Sequence, residues 1–65
     1  MNNKIAIIIL TFNSEKIIKK TILAARKISK NIIICDSFSN DKTTKIARSL
    51  HCKIFYKKFL NFFQK

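Results

Sequence analysis

The 65-residue chain has no glycine and no proline, one histidine, two cysteines and only three acidic residues. Each shortage excludes something. Without glycine, neither the G-x-G-x-x-G turn of a dinucleotide-binding fold nor a P-loop can be built, since both need backbone to approach phosphate closely. A loop that binds a nucleotide here must do so with side chains. Cys35, Cys52 and His51 fall one ligand short of a four-coordinate zinc site, and no metal site is expected. Two cysteines allow at most one disulfide, and in the absence of a signal peptide they read as reduced intracellular thiols. The longest uninterrupted apolar run, residues 5–10, is far below the ~20 residues a membrane helix requires. Thr11, Phe12 and Asn13 follow it where a signal peptide would have a small-residue cleavage site. The length bounds the chain to one domain, of a size that buries only about 60% of its unfolded surface.

What is abundant is isoleucine and lysine. Thirteen Ile, 12 Lys, 6 Asn and 6 Phe supply 37 of the 65 residues, and these are the residues that A/T-only codons encode. The net charge of +11 invites a nucleic-acid reading. The lysines are spread along the chain and form no basic block, so solvated faces explain them better than a nucleic-acid footprint. A small basic nucleic-acid-binding protein stands as the alternative reading. It requires Lys and Arg to converge on one groove.

The apolar pattern places five elements. Residues 4–11 form a β-branched run suited to a strand buried on both faces of a parallel sheet. Asn13 and Ser14 are N-cap residue types, and Glu15 falls where the dipole of a following helix favours a carboxylate. Ile18, Ile22 and Ala25 then recur at helical spacing, flanked by Ile17, Thr21, Ala24 and Ile28, with Lys16, Lys19, Lys20, Arg26 and Lys27 opposite. This predicts an amphipathic helix over 14–29. Residues 32–36 repeat the strand pattern. Asp41 can cap a second helix over 41–50, in which Thr43, Ile46, Ala47 and Leu50 share a face. The glycine usual after such a helix is missing at His51 and Cys52. Residues 53–57 read as a third strand, with Phe55, Phe59, Phe62 and Phe63 assigned to the core. The order β-α-β-α-β predicts an α/β fold, half of a doubly wound, mainly parallel sheet, with residues 1–65 as a single partial domain.

Ligands of open α/β sheets bind beyond the carboxyl ends of the strands. Two polar clusters lie there, 11–15 after the first strand and 36–41 after the second, and they contain all three acids of the chain. An acid after strand 2 suits hydrogen bonds from a ribose hydroxyl or a base N–H. Asp36 caps no helix and no strand end needs an acid, so ligand contact is the favoured reading there. Capping alone explains Asp41 and Thr43, and for Glu15 dipole complementarity and ligand contact weigh equally.

Thr11, Asn13 and Glu15, followed by a helix and then by Asp36, Ser39, Asp41 and Thr43, resemble the amino-terminal framework of an inverting family-2 glycosyltransferase with the GT-A fold. The D-S-F-S-x-D-x-T form, with F-x-N-F at 59–62, is similar to the lipopolysaccharide core glucosyltransferase subgroup. The resemblance implies a nucleotide-diphosphate sugar as ligand. Asp36 would accept a hydrogen bond from uracil or another base, Thr11, Phe12 and Asn13 would line the nucleoside pocket, and Glu15 would border it. It also implies a divalent metal, Mg or Mn, in full-length relatives, held by a D-x-D motif, and a carboxylate acting as general base. Neither is present here, and no acid follows Asp41. The resemblance therefore implies a truncated, donor-binding part of a transferase without catalytic residues or a bound cofactor of its own. It would be cytoplasmic, with the inner face of the cytoplasmic membrane as the other location. Three accounts stay open: a decayed remnant, a partner to a second polypeptide completing the sheet, and a nonenzymatic binding module.

Overall fold

The computed structural model describes residues 4–59 of the chain. Its elements are β1 (Ala6–Thr11), α1 (Ile18–Arg26), β2 (Asn31–Asp36), α2 (Thr43–Ser49) and β3 (Lys53–Tyr56). All three strands are parallel, in the order β1-β2-β3. The α/β class and the pairing of the first two strands are as the sequence predicts. The β-branched runs explain the strands, since branched side chains pack well on a pleated surface.

The core consists of Ile18 and Ile22 from α1, Ile32 and Ile34 from β2, Ala47 from α2, and Cys52. Ile32 and Ile34 lie two residues apart on one face of β2, so both helices cover that face. A parallel sheet that steps in one direction through right-handed crossovers puts its helices on the same side.

Among the described residues nothing covers the other face, and this corrects the expectation for the first strand. Ile8 and Leu10 are 62% and 63% exposed, and Phe55 is 58% exposed. The register sets Ile8 beside Ile33, and Leu10 beside Cys35 and Phe55. β1 is apolar on both faces, but only the face with Ile7 and Ile9 meets a helix. Phe55 is likewise not core. Phe62 and Phe63 lie outside the described residues.

α1 is shorter than 14–29. Its first turn is displaced because the segment before it is tied elsewhere: the Ser14 carbonyl accepts the N–H groups of Ile17 and Ile18 at 3.0 and 2.8 Å, and residues 15–17 form a turn. Neither Asn13 nor Ser14 caps α1 with its side chain, and the helix has no acid in its first turn. The flank carrying Ile17, Ala24 and Ile28 is exposed, not packed. Arg26 leaves the lysine face and donates to the Leu50 carbonyl at 2.7 Å, tying α1 to the end of α2. Beyond α1, buried Ser29 donates to the Ile5 carbonyl and accepts the Asn31 N–H at 3.0 Å, which anchors the approach to both β1 and β2. No sequence signal marked it.

α2 buries Thr43 and Ala47 as its periodicity predicts. It ends without glycine. His51 adopts a φ of 65°, its N–H reaches the Arg48 carbonyl at 3.0 Å, and the Cys52 N–H reaches the Ala47 carbonyl at 3.2 Å. These are the two bonds of a Schellman motif, with histidine in the left-handed position.

Candidate nucleotide-binding loops

β1 and β2 end in register, with Thr11 opposite Asp36 and Tyr56 beyond it on β3. The loops that follow, residues 12–17 and 37–42, therefore start side by side. Thr11 and Asp36 are both buried, and the Thr11 hydroxyl donates to Asp36 Oδ1 at 2.6 Å. The same oxygen accepts the Ser39 hydroxyl at 2.6 Å, and Oδ2 accepts the Ser39 N–H at 2.7 Å.

The lacing continues outward. The Asn13 N–H donates to Ser39 Oγ at 2.8 Å, and Asn13 Oδ1 accepts the Asn40 N–H at 2.8 Å. The Ser14 N–H donates to Thr43 Oγ1 at 2.7 Å. The Glu15 N–H donates to Asp41 Oδ2 at 3.1 Å, while Glu15 Oε1 accepts the Lys42 N–H at 3.1 Å. Asp41 Oδ1 accepts the N–H of Thr43, the first residue of α2, at 2.9 Å. All seven residues that carried the sequence motif thus bond to one another or to each other's backbones. Glu15 serves the entrance of α2, not the dipole of α1, because residues 15–17 stop short of helix and carry its carboxylate across to the second loop.

The acids act as acceptors at the centre of this clasp. Burial works to raise the Asp41 pKa, but hydrogen bonds from the Thr43 side chain and from the Thr43 and Glu15 backbones outweigh it and hold the group below its ordinary 3.8. The expectation that Asp36 touches a ligand directly meets a carboxylate with 0% exposure. It lies beneath the loops because β2 carries it on the helix-facing side, in line with Ile32 and Ile34.

Above it, Phe12, Asn13, Ser14, Glu15, Lys16, Ile17 and Asp41 line an open concavity of about 480 Å³. Three of the five residues expected to bind a nucleotide, Phe12, Asn13 and Glu15, lie on its wall. Thr11 and Asp36 lie in its foundation. On the other side of Asp36, Phe38 stacks on Tyr56 with centroids 5.7 Å apart. Hydrogen bonds with Thr44 and Arg48 hold the Tyr56 phenol below its ordinary pKa. Phe38 has a φ of 56°, an outlier for a bulky residue. The sequence reading singled out neither aromatic. The available signal was an aromatic residue set between Ser37 and Ser39 in an otherwise polar loop.

Among the described residues, no group of three His, Cys, Asp or Glu is placed to hold a metal ion. The residues present do not fit the divalent ion implied for full-length relatives, because the described carboxylates do not converge on one point with a third ligand. No helix among the described residues is long and apolar enough to cross a membrane.

The family model described as "Glycosyl transferase family 2" matches residues 6–61, from the first residue of β1 past the last strand. The chain belongs to glycosyl transferase family 2. It is also similar to a protein of Rickettsia bellii (strain RML369-C) named "Uncharacterized glycosyltransferase", with 36% identity over 62 residues. That match takes in 95% of this chain and 21% of the relative, so the chain spans about a fifth of the length of the curated relative it matches. No solved structure matches significantly.

Proposed function

We propose that this family 2 chain is the nucleotide-sugar donor-binding portion of a glycosyltransferase and does not transfer sugar by itself. The observation that carries the reading is the reciprocal clasp at the carboxyl ends of two neighbouring parallel strands, where α/β sheets place their ligands. The clasp holds Phe12, Asn13 and Glu15 around one concavity. Phe12 offers an exposed ring for a base, while Asn13 and Glu15 offer polar atoms for ribose or base edges. Thr11 and Asp36 act from below as positioning residues that set the two loops. The D-S-F-S-x-D-x-T form supports a donor role in lipopolysaccharide core assembly, in the cytoplasm or at the inner face of its membrane. The F-x-N-F stretch that accompanies it falls mostly outside the described residues. The metal and the general base are supplied by polypeptide beyond these 65 residues, either a second chain or a further part of the same protein.

The test is uridine diphosphate binding to the whole chain by ligand-observed NMR. Asn13→Ala and Glu15→Ala are expected to weaken binding, and Lys20→Ala to leave it unchanged. Equal loss from all three would reduce the interaction to general electrostatics and end the proposal. Hydrolysis of a nucleotide sugar by the chain alone, with Mn²⁺ or Mg²⁺, would refute its inactivity.

A further inference from the structure

Helical spacing sets Lys16, Lys19, Lys20 and Lys27 opposite the apolar stripe, and α1 with its flanking residues carries them on its outer face. With Leu23 and Ala24 they line a groove of about 530 Å³. All four lysines are exposed. The three carboxylates of the chain are engaged at the loop clasp, so the groove carries a concentrated positive charge. Its apolar members are aliphatic. Leu23 is 46% exposed within it, and Ile17 and Ile28 are exposed at the two ends of the helix.

We propose that this face of α1 docks on a bilayer surface rich in anionic phospholipid. Lysine ammonium groups reach lipid phosphates while their stems, with Leu23, Ile17 and Ile28, enter the boundary between headgroups and acyl chains. A nucleic acid is the other polyanion of matching charge, but it is met by arginine forks and by aromatic rings that stack on bases. The groove has neither. Arg26 is turned inward to the Leu50 carbonyl, and no phenylalanine lines it. The docking surface meets the loop concavity at Lys16 and Ile17, whereas Lys19, Lys20 and Leu23 belong to the groove alone, so changes at those three separate docking from nucleotide binding.

The experiment is co-sedimentation of the whole chain with vesicles of phosphatidylglycerol and phosphatidylcholine, against phosphatidylcholine alone. Binding to the anionic vesicles is expected, and it should fall as salt rises. Lys19→Glu with Lys20→Glu should weaken it at least about 25-fold, taking roughly fivefold per lysine. Lys53→Glu with Lys57→Glu makes the same change in net charge on and just after β3, the strand two places from β1, and should have at most about a twofold effect, because charge beyond a screening length contributes little. Leu23→Ser should weaken binding at high salt. Lys20→Gln with Lys27→Gln, checked by circular dichroism, serves as a second pair should charge reversal unfold the chain. Equal loss from the groove and control pairs, no effect of Leu23→Ser, or tighter binding of poly(U) RNA than of vesicles at the same salt would each overturn the proposal.

Discussion

Three of the described residues, Asn13, Phe38 and His51, take left-handed backbone at φ of 48°, 56° and 65° in a chain that has no glycine to place there. A Cβ in that region costs roughly 1–2 kcal/mol. Asparagine and histidine tolerate it better than phenylalanine does, and Phe38 recovers part of the cost by stacking on Tyr56. His51 has no such contact to lose. His51→Gly is therefore expected to raise stability by about 1 kcal/mol, read from the midpoint of a urea melt. A lower midpoint would show that the histidine ring has a role of its own. Asp41 carries the pH dependence. Its folded pKa lies below 3.8, so its contribution is complete above that value and is lost as pH falls through the lower, folded one. Thermal melts of wild type and Asp41→Asn should differ at pH 7 and converge as the pH falls through the folded-state pKa. A constant difference would assign the effect to shape, not charge. The acids themselves were legible as a cluster. Their partners were not, because each hydrogen bond joins residues more than twenty positions apart or depends on where a loop turns.

Among the elements, the strands and α2 follow from local pattern, and α1 departs from it. The cap residue types Asn13 and Ser14 set the expected start four residues before Ile18, but the clasp draws residues 13–15 toward Ser39, Asp41 and Thr43 and takes them out of the helix. Tertiary bonds outweigh propensity over one turn, where helix formation gains little. The clasp rests on Thr11 and Asp36, and Thr11→Val is the sharpest probe of it. The substitution keeps shape and strand propensity but removes the donor to a buried carboxylate. A loss of about 1–3 kcal/mol is expected, measured by chemical denaturation, together with faster amide exchange in residues 37–42. Unchanged exchange there would mean that the loops are held independently of the strand ends.

For the whole molecule, the dominant feature is a sheet that the described residues cover on one side only. β1 is an edge strand, and Ile8, Leu10 and Phe55 stand exposed on the bare face. Unpaired edges and wide apolar surfaces promote association. The chain alone is expected to self-associate or to require a polypeptide that covers this face. Ile8→Thr, Leu10→Thr and Phe55→Thr together should shift it toward soluble monomer in size-exclusion chromatography with light scattering. Threonine keeps the strand preference. A wild-type chain that is already monomeric would show that the face needs no cover.

The sequence by itself determined the order of elements, the parallel class and the two loop clusters, since these depend on side-chain period and residue type over a few positions. It also carried the family, through residues whose spacing is kept along the chain. Only the tertiary structure decided which side of each strand is buried, because an apolar strand reads alike whether one face or both are covered. It alone placed Asp36 beneath the loops instead of on their surface, for the strand's alternation puts Asp36 in line with the helix-facing isoleucines. The helical period had already set four lysines opposite the apolar stripe, but only the tertiary structure decided that this face stays uncovered and forms one groove with Leu23, since that depends on where a helix lies on a sheet.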